Sequence, residues 1–75
     1  MTDIKVKFGK RLRKLRRNKD LTQEQLAEQM GVSADFIGQI ERGLRSPSFD
    51  NLQRLSEVLE VKVEEFFQFP DEKKD

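Results

Sequence analysis

Residues 21–43 read LTQEQLAEQMGVSADFIGQIERG, and two short helical patterns meet there across a tight turn. Thr22 has the character of an N-cap. Its hydroxyl can accept from an orphan backbone N–H, and Gln25 three residues on can answer, which makes a T-x-x-Q capping box. Leu26, Ala27 and Met30 recur at i, i+1 and i+4 and form one apolar stripe. Gly31 follows Met30, where a chain leaving a helix often needs a left-handed φ that glycine adopts without penalty. Ser33 is a second N-cap, Ile37 and Ile40 stand on the inner face of the second helix, and Gly43 offers it a C-terminal stop. Only Val32 and Ser33 separate Gly31 from that helix. So short a connection rules out an antiparallel hairpin. The helices must cross steeply, with small Ala27 at the crossing and Val32 plugging the corner.

This arrangement resembles the helix-turn-helix of bacterial and phage repressors. Gln23, Ala27 four residues on, Gly31 four more, then Ile37 and Ile40 have that family's spacing. The run LTQEQLAEQMGVS and the IERG ending resemble its Cro/CI-type, or XRE-like, branch. The resemblance spans roughly residues 8–67. It implies an all-α, five-helix, lambda-repressor-like domain with the helix-turn-helix at helices two and three. It further implies sequence-specific binding of double-stranded DNA by a dimeric transcriptional regulator. Among family members, the chain is most similar to compact single-domain ones, such as restriction–modification controller proteins and small phage repressors. The bland alternative is an unrelated small helical bundle with a tight turn.

Length and composition agree with one small domain over residues 1–75, with an ordered core at about 5–69 and a polar tail at 70–75. A chain this short buries only about 60% of its unfolded surface, so association with a second copy would help. It has neither Cys nor His, which removes disulfides, thiolate metal sites and the commonest general base. Together with the lack of a phosphate-cradling Gly loop, this gives an enzyme reading nothing to stand on. No cofactor, metal or small-molecule ligand is expected. No apolar run approaches the roughly 20 residues of a membrane span, and no signal peptide opens the chain, so the cytoplasm is the expected compartment. Net charge is only +1, but its distribution is uneven. Residues 1–19 hold nine basic side chains and one acidic, residues 20–49 two against five, and residues 50–75 four against eight. A basic front and an acidic rear let one face meet phosphate while the molecule stays near neutral.

The first helix is expected from about Lys5 to Asn18, with Phe8, Leu12 and Leu15 inward. The family resemblance pairs Arg16 with Glu41 of the IERG segment, an arrangement in which a guanidinium holds a carboxylate through two parallel hydrogen bonds. In the loop Asn18–Lys19–Asp20, Asp20 stands near a glycine of the family pattern, a mild departure because Asp tolerates left-handed φ. Pro47 stops helical growth. Ser48 then caps a fourth helix, about Phe49 to Leu59, whose apolar face is Phe49, Leu52, Leu55, Val58 and Leu59. Glu60 replaces a helix-ending glycine of the family pattern, and Lys62 replaces a Ser-like cap. A last short helix is expected at about Val63 to Phe67.

Binding chemistry is assigned by position. Helix three, about Ala34 to Arg42, would lie in the major groove with Ala34, Asp35, Gly38 and Gln39 outward. Gln39 suits bidentate contact with adenine, Asp35 suits cytosine N4 or merely the helix cap, and Ala34 suits a thymine methyl. Gly38 would let DNA approach the backbone. Phosphate contacts are expected from Gln23 at a helix N-terminus, from Arg42 and Arg45, and from Ser46, Ser48 and Asn51 around the next N-terminus. Lys10 and Arg13 add long-range attraction. Phe66, Phe67 and Phe69 cluster near the end; one of the first two should complete the core. The others would form a dimer interface like the family's, pairing two recognition helices about 34 Å apart on a pseudo-palindromic operator. Two other readings are an antitoxin with a toxin-binding surface and a helical adaptor that does not bind DNA.

Overall fold

The computed structural model describes residues 3–69. It holds four α-helices, α1 (Ile4–Asn18), α2 (Gln23–Met30), α3 (Ala34–Glu41) and α4 (Phe49–Leu59), followed by a 3-10 helix (Val63–Phe67), with no strand among the described residues. The expected fifth helix is therefore a five-residue 3-10 helix. The polar tail expected at 70–75 lies outside the described residues.

Each α-helix begins on a side chain suited to the task. Asp3 accepts from Lys5 N (2.9 Å) and starts α1 one residue earlier than the periodicity suggests. Thr22 and Gln25 close a reciprocal box, Gln25 N donating to Thr22 Oγ1 (3.0 Å) and Thr22 N to Gln25 Oε1 (2.9 Å). Ser33 accepts from Phe36 N and Ser48 from Asn51 N, both at 3.1 Å. Such caps satisfy donors that the first helical turn leaves unpaired. Lys62, at the start of the 3-10 helix, has no side-chain oxygen to offer. Its carbonyl accepts from Glu65 N (2.9 Å) in place of a side-chain cap, and Lys62 N donates weakly to Glu65 Oε2 at 3.4 Å.

The four helices also end alike. A left-handed residue follows each: Asp20 (φ 59°), Gly31 (φ 73°), Gly43 (φ 77°) and Glu60 (φ 58°). The next amide reaches back five residues, Leu21 N to Arg16 O, Val32 N to Ala27 O, Leu44 N to Gln39 O and Val61 N to Ser56 O, at 2.9–3.2 Å. This is the Schellman closure, whose apolar residue after the left-handed one packs back on its helix. Leu21, Val32 and Val61 pack against the core, whereas Leu44 is 67% exposed.

Phe8, Leu12, Leu15, Leu26, Ala27, Met30, Ile37, Ile40, Leu55, Leu59 and Phe66 form one core. Phe66 stacks on Phe8 with centroids 5.5 Å apart. Arg11 Nε donates to Glu65 O (2.7 Å) and ties the 3-10 helix to α1. Phe49 was expected on the inner face of α4, yet it is 88% exposed. At about 100° per residue it lies well round the helix from buried Leu55 and Leu59.

Candidate nucleic-acid interface

The α2–turn–α3 unit is fastened to α1 by a polar cluster. Arg16 donates from Nε to Glu41 Oε2 (2.6 Å) and from Nη2 to Glu41 Oε1 (3.1 Å), and the two side chains are 8% and 3% exposed. Arg16 Nη1 donates to Leu21 O (2.7 Å), closing the loop before α2. Gln23 Nε2 donates to Glu41 Oε1 (3.0 Å), so the first residue of α2 is tied to the last residue of α3. Burial of the charges is offset by this dense set of bonds, and no buried side-chain N or O among the described residues lacks a partner.

The residues expected at base edges are not equivalent. Asp35 is exposed and Gln39 half-buried, and Gln39 Nε2 donates to Asp35 Oδ2 (3.1 Å). Ala34 packs partly against the core. Gly38 departs from expectation: it is buried rather than bare, under Gln23 and Arg42. A Cβ there would stand 3.5 Å from Gln23 Oε1 and 3.6 Å from Arg42 Nη1, ordinary contact distances.

Of the residues expected at phosphates, Arg42 and Arg45 lie against α3. Arg42 caps α3 and is exposed. Arg45 is exposed with its guanidinium 5.4 Å over the half-buried Phe36 ring. Ser46 and Ser48 are exposed and Asn51 half-buried at the start of α4. The Ser48 Oγ accepts its cap bond and keeps its own hydrogen to donate. α2 starts at Gln23 and α4 at Phe49, and the positive end of a helix dipole lies at each start.

The aromatic cluster divides. Phe66 is 0% exposed and is the one of the first two that completes the core, between α1 and α4, so it drops out of the expected dimer interface and leaves Phe67 and Phe69. Phe67 is 43% exposed and Phe69 half-buried, their rings edge to face at 6.2 Å. Beside them lies an apolar cleft of about 180 Å³ lined by Ile4, Phe8, Pro47, Phe49, Leu52 and Phe67, with Lys5, Arg45 and Ser46 at its margin.

Sequence reasoning passed over Gly9. A Cβ on it would stand 2.4 Å from Ile40 O and 2.6 Å from Glu41 O, so α1 and the end of α3 touch backbone to backbone there. A glycine in mid-helix between Phe8 and Leu12 was the available signal. It also passed over Ile4 and Leu44, whose exposure only the packed structure shows.

A family model described as helix-turn-helix, HTH_3, matches residues 12–66. The chain belongs to this helix-turn-helix family. It is 41% identical over 68 residues to the control protein C.MunI of a Mycoplasma species, covering 89% of this chain and 92% of that one. It is 34% identical over 68 residues to the control protein C.BamHI of Bacillus amyloliquefaciens, covering 89% and 84%. Among solved structures, the fold superposes with a TM-score of 0.81 on the restriction-modification controller protein C.AhdI from Aeromonas hydrophila. The identity there is 43%, over 84% of this chain and 91% of that one. It also superposes, with a TM-score of 0.76 and 34% identity, on the biofilm regulator SinR solved in complex with DNA, covering 81% and 98%. In family terms, α2 and α3 are the helix-turn-helix, and Glu41 ties it to Arg16 of α1 and to Gln23 at the start of α2.

Proposed function

We propose that this chain is a sequence-specific double-stranded DNA-binding transcriptional regulator that works as a homodimer. The observation that carries this reading is the outer edge of α3. It presents Asp35, Gln39 and Arg42 on a helix whose back is locked to α1 and α2. In the major groove Gln39 reads an adenine. Gln23, Arg42, Arg45, Ser46, Ser48 and Asn51 hold phosphates to either side, and Lys10 and Arg13 add attraction at longer range. Regulation comes from the protein's own concentration, through dimerisation and operator occupancy. The second copy docks on the apolar face of Ile4, Phe49, Leu52 and Phe67, with Phe69 at its edge. The pair then selects a pseudo-palindrome with half-sites about one helical turn apart. No helix among the described residues is long and apolar enough to cross a membrane, and the protein works beside DNA in the cytoplasm.

Selection from random duplexes tests this directly. It should return a two-fold related site, and affinity should fall steeply as salt rises. Gln39→Ala should cost about 1–3 kcal/mol on the selected site and relax one base pair, whereas Arg42→Ala should weaken all sequences alike. A chain with no attraction to duplex at low salt would instead be a protein–protein adaptor.

A further inference from the structure

We propose that Asp35 reads no base and instead sets the hydrogen-bonding face that Gln39 turns to DNA, so that the pair accepts adenine and refuses guanine. The assignment rests on the DNA-binding reading above and adds a division of labour to it.

The two side chains are four residues apart on one helix face, where such pairs meet. Gln39 Nε2 lies 3.1 Å from Asp35 Oδ2. An ionised carboxylate only accepts, so the nitrogen of the carboxamide must be the atom that faces it. That orients the amide and spends one of its two N–H groups. One N–H and the Oε1 acceptor are left for a base. Adenine presents N7 as acceptor and N6–H as donor in the major groove, which this remaining pair matches. Guanine presents two acceptors, N7 and O6, so its O6 would face Oε1 lone pair to lone pair. Without Asp35 the second N–H is free, and Nε2 can serve both guanine acceptors. Asp35 also holds Gln39 in one rotamer before binding.

The experiment measures binding of duplexes that differ only at the base pair whose preference disappears in Gln39→Ala. Wild type should favour adenine over guanine there. Asp35→Ala should shrink that ratio by about two- to twelve-fold, the net worth of the one hydrogen bond that the freed N–H can make to guanine. Asp35→Asn, whose Oδ1 can still accept from Nε2, should keep most of it. Both variants lose a negative charge beside DNA, so both should bind random duplex more tightly by a similar factor. Only the ratio separates them. In the Gln39→Ala background, Asp35→Ala should leave that base pair unaffected. An unchanged ratio in Asp35→Ala, or a change at a different base pair that survives Gln39→Ala, overturns the assignment and leaves the DNA-binding reading standing. A wild type that binds no duplex overturns both.

Discussion

Glu41 at the end of α3 is held by Arg16 of α1 through two hydrogen bonds of 2.6 and 3.1 Å, and by Gln23 of α2 through a third of 3.0 Å. One buried carboxylate thus joins all three helices of the proposed DNA-binding unit. Removing one partner of a buried pair leaves the other charge stranded, which costs about 3–5 kcal/mol. Arg16→Ala should therefore lower the thermal midpoint steeply, while exposed Arg13→Ala should change stability by about 0.5 kcal/mol or less. Equal midpoints, measured by circular dichroism, would deny the cluster its structural role.

The two buried helical glycines should respond in opposite directions to alanine. At Gly9 the new Cβ meets backbone oxygens of Ile40 and Glu41 at 2.4 and 2.6 Å, and backbone cannot step aside as a side chain tip can. Gly9→Ala should destabilise by about 1–3 kcal/mol, as overpacking does. At Gly38 the Cβ has ordinary contacts, so Gly38→Ala should gain about 0.5–1 kcal/mol of helix stability. Chemical denaturation of the two variants checks the contrast.

Asp20 and Glu60 hold the left-handed helix ends that Gly31 and Gly43 hold elsewhere. A left-handed residue with a Cβ is disfavoured by about 1–2 kcal/mol, part of which glycine returns through a more flexible unfolded chain. Asp20→Gly should gain about 0.5–1 kcal/mol on that balance. Glu60→Gly should also raise the midpoint, less whatever its exposed contact with Lys19 Nζ (2.5 Å) contributes.

That contact has its own signature. The hydrogen bond from Lys19, and then its charge, hold the Glu60 carboxyl below the usual carboxylate range. A depressed folded pKa adds stability above the unfolded value and loses it as pH falls through the folded one. The Glu60 carboxyl followed by NMR should titrate at higher pH in Lys19→Met. An unmoved titration would show that the contact does not persist in solution.

Phe66 and Phe49 should separate folding from assembly. Phe66 fills the core, so Phe66→Ala should cost about 3–5 kcal/mol, a large share of a domain this size. Phe49 packs on little of its own chain, so Phe49→Ser should leave helicity intact. It should shift sedimentation toward monomer and remove any dependence of the midpoint on protein concentration.

How much of this was legible in the residues differs from one feature to the next, for a physical reason. Caps and turns are local. Thr22 with Gln25, Ser33, Ser48, Gly31 and Gly43 act within a few positions of themselves, and the structure uses each as its residue type allows. Periodicity likewise marked Leu12, Leu26, Ile37 and Leu55 for the core. Burial between elements is not local. Phe66, Phe67 and Phe69 are chemically identical and close in sequence; both Phe66 and Phe67 lie against Phe8, and only the packing of α1 and α4 around them decided that Phe66 is buried and Phe67 is not. Phe49 looked like a core residue because helical phase is uncertain in the first turn, and the position of α4 left it outside. The meeting of Gly9 with the α3 carbonyls, the cover of Gln23 and Arg42 over Gly38, and the turn of Gln39 toward Asp35 depend on where whole helices and side chains come to rest. The sequence by itself determined where each helix starts and stops, because those choices are made by neighbours along the chain. The tertiary structure alone decided which faces are spent on the core and which remain for a partner, because that choice belongs to residues far apart along it.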